Sequence, residues 1–246
     1  MLILLPPSEG KAAPSEGEPL DLDSLAFAER LGERRARLLD ALERLRTVST
    51  SRALRQLAIS KGQVGEIAVD AALRSAPTAP AAEVYAGVLY DHLRLLELPA
   101  GAQRHVLIAS ALWGVVRPED RIPYYRFSAK ARLARIGPPA TWWRGALTEA
   151  MPDELGDLVV DMRSSAYADA WKPKRATLLA VRAFRESDGV RKPVSHMAKA
   201  VRGEVARALL LAKVPPADPA AAAAIARAAG FDVELAAGSL DLIVAS

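Results

Sequence analysis

Val106-Leu107-Ile108-Ala109-Ser110 runs directly into Ala111-Leu112-Trp113-Gly114-Val115-Val116-Arg117-Pro118. The first five residues form an unbroken apolar run bounded by turn signals. That is the pattern of a short strand covered on both faces. Leu2–Leu5, closed by Pro6-Pro7, reads the same way, and so does Leu158-Val159-Val160-Asp161-Met162. Between these runs the apolar spacing becomes helical. Leu25, Leu31, Leu38, Leu39, Leu42 and Leu45 mark a helix over 24–46, and shorter helices are expected after Ser51 and from Glu66 to Leu73. Further helices are predicted over 82–96, 142–151, 197–211 and 219–229, the last closed by Gly230. Residues 75–80 and 117–128 read as loops, and hairpins are expected across Ser187-Asp188-Gly189 and across Gly238. Strands alternating with helices give an α/β, or mixed α+β, fold. We expect a single compact domain over residues 1–246, with a central mixed sheet flanked by helices.

Composition narrows the function. Of the 246 residues, 51% are hydrophobic and 25% charged, enough for a real core. The absence of cysteine excludes disulfides, zinc–thiolate sites, iron–sulfur clusters and a thiol-based peroxide sensor. The histidines at 92, 105 and 196 are scattered, so no metal site and no cofactor is expected. Phosphate-loop, dinucleotide and nucleophile-elbow motifs do not occur. The N-terminal apolar run is too short for a signal peptide or a membrane span. The expectation is therefore a cytoplasmic protein without a membrane partner. Net charge is +4, but residues 163–213 carry twelve Lys/Arg against four Asp/Glu. An anionic partner is permitted, and the basic excess points to the C-terminal half.

Several positions stand out as sites. Arg117 and Arg126, with Arg121, Tyr124 and Tyr125, could cradle a phosphate and stack a base. The plain alternative is a solvated basic loop with its tyrosines packed on the core. Lys199 and Arg202 share a face near the start of the 197–211 helix, preceded by Ser195 and His196, and suit an anion. Ser8 and Lys11 follow the first strand, Ser110 ends the second, and Ser164 and Tyr167 follow the third. If these strands are parallel neighbours, all of these residues converge, because ligands gather at the carboxyl ends of such strands. Plain turn chemistry is the competing account. Lys61-Gly62-Gln63-Val64-Gly65, between two short helices, resembles the turn of a helix-hairpin-helix that offers backbone N–H groups to a DNA phosphate.

Five blocks resemble the YaaA family, in order and across almost the whole chain. They are Met1–Lys11, Tyr85-Ala86-Gly87-Val88-Leu89, Ala111–Pro118 with Tyr124-Tyr125-Arg126, Val160–Tyr167, and Ser195–Gly203. Departures are Met162-Arg163 in place of Leu-Ala, Ala166 in place of an acidic residue, and Val201 in place of a small one. The resemblance implies an unusual α/β fold with a helix-hairpin-helix-like element and a positively charged cleft. It also implies binding of duplex, bent or junction DNA, and a part in lowering free iron under hydrogen peroxide. Two functional readings follow. One is a peroxide-stress protein that binds DNA through Lys11, Lys61, Arg117, Tyr125, Arg126, Lys199 and Arg202. The other is an enzyme acting on a nucleotide, a nucleobase-containing compound or another small anionic ligand in the same cleft, with Ser164, Tyr167 or His196 moving the proton.

Overall fold

The computed structural model describes residues 1–151, 156–187, 190–193 and 196–244. Its centre is a mixed sheet built on five parallel strands. They are β1 (Leu2–Leu5), β3 (Val106–Ser110), β6 (Leu158–Asp161), β7 (Thr177–Ser187) and β10 (Ser239–Val244). The order across the sheet is β4-β3-β1-β6-β7-β10-β9. Antiparallel β4 (Gly114–Val116) and β9 (Val233–Ala236) close the edges, and β8 (Val190–Pro193) pairs with the far end of β7. All residues of β1, β3 and β6 are buried. Their unbroken apolar runs are explained by cover on both faces.

Helix α1 (Ala28–Glu43) packs against α7 (Pro139–Ala150), and α5 (Val88–Leu93) against α9 (His196–Leu211). Arg35 ties α1 to the sheet edge. It is fully buried and donates to the carbonyls of Ala26, Trp113 and Val115. The α5–α9 contact depends on Gly203, where a Cβ would stand 2.3 Å from the Leu89 carbonyl oxygen. α10 (Pro219–Ala228) begins at the Asp218 cap and ends before Gly230. No helix among the described residues is long and apolar enough to cross a membrane.

Three expectations need correction. Residues 75–80 are not all loop: Thr78–Pro80 form β2, which pairs with β5 (Arg121–Pro123) out of the supposed 117–128 loop. The helix expected over 82–96 is broken into α4 (Ala81–Val84), α5 and a 3-10 turn at Leu95–Glu97. The break lies at Tyr85–Gly87, where Gly87 takes φ 107° and ψ 178°, a conformation open to glycine alone. The helix expected over 24–46 starts at Ala28 and tightens to a 3-10 turn at Arg44–Thr47. The two hairpins are as expected, and β1 pairs in parallel with both β3 and β6, which meets the condition set for convergence of their carboxyl ends.

Candidate functional site

Because β1, β3 and β6 run parallel and adjacent, their carboxyl ends open onto one edge of the sheet. The chain leaving β1 there passes Ser8 and Glu9 to reach Lys11. The helix break at Tyr85 gives this segment a partner. Lys11 bridges to Tyr85, and the Ala12 amide donates to the Val84 carbonyl at 2.9 Å. The Lys11 Nζ donates to the Ser8 carbonyl at 2.8 Å and stands 4.5 Å from the centre of the Tyr125 ring. No carboxylate reaches ion-pair distance of it among the described residues. Burial, helped by the Arg126 charge, lowers the amine from 10.5 to about 8.

Beneath Lys11 the tyrosines form a hydroxyl chain. Ser110 Oγ accepts from the Leu112 and Trp113 amides, both at 3.1 Å, so its own proton goes to Tyr125 Oη at 2.8 Å. Tyr125 then donates to Tyr85 at 2.7 Å. Burial holds Tyr85, Tyr90 and Tyr125 above the ordinary tyrosine value. Tyr125 is therefore part of the core, with one face under Lys11 and its edge against Trp113. It has no open face for a base. For this residue the plain alternative, a tyrosine packed on the core, describes the structure.

Two carboxylates that the sequence reading did not single out join these groups from residues 50–70. α2 (Thr50–Leu57), a 3-10 turn at Lys61–Gln63 and α3 (Glu66–Asp70) follow one another, and α2 touches α3. Asp70, at the end of α3, is buried and accepts from the Arg126 amide at 2.7 Å. Burial raises its carboxyl from 3.8 to about 7. Glu66, one turn earlier, accepts from the Tyr124 hydroxyl at 3.2 Å. The only sequence clue was the i, i+4 placement of two carboxylates on a short helix, which is common on solvent-facing helices. On the β6 side, Arg163 makes a buried bidentate pair with Asp161 and donates to the Trp171 carbonyl. It is thus structural. Arg202 of α9 faces Asp161, and burial lowers its guanidinium. The Tyr167 hydroxyl, its pKa raised by burial, lies near the Ala129 amide of the 124–130 loop.

On these elements Ser8 Oγ, Asp70 Oδ2, Arg126 Nε and Arg202 Nε are buried without a hydrogen-bond partner among the described residues. Such groups are rare in native folds and call for water, an ion, strain or a ligand to account for them. Other sequence candidates lie elsewhere. β4 runs antiparallel to β3 and leads away from Ser110, leaving Arg117 over the Phe27 ring at 5.9 Å. Ser164 and Lys199 are exposed, and Lys61 is exposed between α2 and α3. His196 opens α9. Ser195 before it lies outside the described residues, as does the His196 side chain.

Charge is distributed differently from the sequence count. In the basic C-terminal half, Arg163, Arg182, Arg191 and Arg207 are all in ion pairs. By contrast, residues 49–65 and 121–137 contain no acid at all. These segments lie together, since the Arg132 and Ala134 amides both donate to Gln56. Arg52, Arg55, Lys61, Lys130, Arg132 and Arg135 are exposed there, and Arg126 is half-buried. None of the seven is in an ion pair among the described residues.

Comparison with known proteins agrees across the chain. The family model described as peroxide stress protein YaaA matches residues 1–234. A UPF0246 protein of Streptomyces coelicolor is 42% identical over 95% of this chain and 92% of its own length. A UPF0246 protein of Corynebacterium efficiens is 39% identical over 99% and 100%. An uncharacterized protein of Campylobacter jejuni is 28% identical over 82% of each chain.

Proposed function

The chain belongs to the peroxide stress protein YaaA family, and on that premise we propose that it binds DNA under peroxide stress. The positive face made by the 49–65 and 124–137 segments is the contact surface. What carries this reading is the meeting of two acid-free segments, 49–65 and 124–137, whose seven cations have no ion-pair partner among the described residues. Arg and Lys on such a face exchange condensed counterions for phosphate contacts. The turn Lys61–Gly65 is the helix-hairpin-helix-like part of the surface. The Gln63 and Val64 amides are spent within it, on Ser60 and Lys61. Its contribution therefore rests on Lys61 and on close approach over Gly62 and Gly65. Bent or junction DNA is the form that the family resemblance implies for this face. The link to free-iron damage runs through the DNA covered, not through metal held by the chain.

The test is fluorescence anisotropy with duplex and junction oligonucleotides over a salt series. Affinity should fall steeply as salt rises, and Lys61→Ala with Lys130→Ala should weaken binding to all sequences alike. Salt-independent binding, or none at low salt, would refute the reading. A second reading, an enzyme for a small anionic substrate, is favoured by the four unsatisfied buried atoms on Ser8, Asp70, Arg126 and Arg202. In that reading Lys11, Arg126 and Arg202 hold the anion, and Tyr167 serves proton transfer.

A further inference from the structure

We propose that Lys11 is an amine nucleophile, whose Nζ condenses with the aldehyde carbon of a phosphate-bearing substrate to form an imine. The geometry carries this. A lysine kept as a cation inside a fold is normally met by a carboxylate. Lys11 is half-buried, yet the partner of its Nζ is a backbone carbonyl, Ser8, at 2.8 Å. That bond needs only an N–H, so a neutral amine keeps it and retains a lone pair. The Tyr125 ring supports the amine from one side. Asp70, Glu66, Glu9 and the faces of Tyr85 and Tyr125 favour the cation, while burial and Arg126 oppose it, and the balance favours the free amine from about pH 8 upward. Desolvation beside a second cation is a general way to activate a lysine.

The neighbours supply what the reaction needs. Arg126, with its unsatisfied Nε, suits the phosphate of the substrate. Asp70 has one carboxyl oxygen free of partners and sits near neutrality, so it can hold or release a proton. In the step itself, Nζ forms a bond to the aldehyde carbon and the C=O π pair moves to oxygen. That oxygen takes a proton from the Asp70 carboxylic acid, and the amine returns one to the carboxylate. A second such exchange releases the hydroxyl as water and leaves C=N. Nothing is oxidised or reduced.

The aldehyde could belong to a free sugar phosphate or to an abasic deoxyribose within DNA. Both carry a phosphate next to a masked aldehyde, and the experiment separates them. Wild-type protein is incubated with ribose 5-phosphate, or with a duplex containing one abasic site, and reduced with cyanoborohydride. Peptide mass spectrometry then reports which lysines carry the adduct. The expected result is labelling of Lys11 at least tenfold above every other lysine, fastest between about pH 7, where Asp70 still holds its proton, and about pH 8, where Lys11 loses its own. Labelling by the duplex alone assigns the DNA source, and labelling by both probes assigns the shared chemistry. Lys11→Arg should abolish the adduct, and Asp70→Asn should slow it about tenfold or more. Adducts spread evenly over the exposed lysines in wild type, or none with either probe, overturn the proposal whether or not the variants fold. An unchanged rate in Asp70→Asn removes Asp70 from the step. The inference stands apart from DNA binding, because salt-sensitive binding without trapping, or trapping of ribose 5-phosphate without DNA binding, can each be seen alone.

Discussion

Asp70 has no surface, one oxygen without a partner, and a carboxyl raised from 3.8 to about 7. The folded chain therefore keeps a proton that the unfolded chain gives up between those values. Its contribution to stability is fullest below pH 4, declines as pH climbs towards 7, and is level beyond. Asp70→Asn should remove that decline. In urea unfolding, the stability of the variant relative to wild type should increase by roughly 2 to 4 kcal/mol between pH 4 and pH 7.5. A constant difference across that range would show that the carboxyl titrates normally. Lys11 was legible in the sequence as a residue following a strand, because parallel strands send their carboxyl-end residues to one edge. Asp70 was not, since nothing in a five-residue amphipathic helix tells a buried carboxylate from an exposed one. Tyr125 was legible only as one of two alternatives. Its fate depended on Ser110 and Tyr85 arriving with hydroxyls, and both of those lie on other elements.

Glycines decide how the elements meet, and three of them should respond differently to alanine. At Gly87 there is open space for a Cβ, but φ is 107°, so the penalty is one of backbone conformation. Gly87→Ala should lower stability by about 2 kcal/mol. It should also loosen the Lys11–Tyr85 bridge, read as faster amide exchange at Ala12, whose amide is held by Val84. At Gly203 the backbone has no positive φ, but the new methyl would meet the Leu89 carbonyl oxygen at 2.3 Å and His92 Cβ at 3.0 Å. Gly203→Ala gains helix propensity and still should destabilise by about 1 to 3 kcal/mol, as overpacked contacts do. Gly65, at φ −61° with nothing near its missing Cβ, is required by neither. Gly65→Ala should be neutral or stabilising by up to about 1 kcal/mol. If the Lys61–Gly65 turn approaches DNA closely, the same variant should bind DNA more weakly. These contrasts also show why element reading fell short at 82–96. Tyr85, Leu89 and His92 keep helical spacing, and spacing alone does not register a single glycine turned out of the helical region. The buried strands were easier, because a run covered on both faces depends little on its partners.

For the whole molecule, charge has to be read after folding. Counted along the chain, the excess lies in residues 163–213, but Arg182 meets Asp241 across strands and Arg191 meets Glu234, and neither pairing can be seen in sequence. The acid-free segments 49–65 and 121–137 are far apart in the chain and meet at Gln56, which accepts from the Arg132 and Ala134 amides. This has a quantitative consequence for DNA. Each phosphate contact contributes about 0.9 to the slope of log K against log salt on duplex DNA. Lys61→Ala and Lys130→Ala should therefore each reduce the magnitude of that slope by about 1, and the double variant by about 2. Lys213→Ala, a neutralisation of equal charge in the basic half, should leave it unchanged. Net charge falls by one in each single variant, so an effect of overall charge would shift all three alike. Equal slopes for Lys61→Ala and Lys213→Ala would mean that position does not matter, and the face made by 49–65 and 124–137 would lose its claim. A reduced slope only for Lys213→Ala would place the contact surface on the C-terminal half, where the linear count first put it.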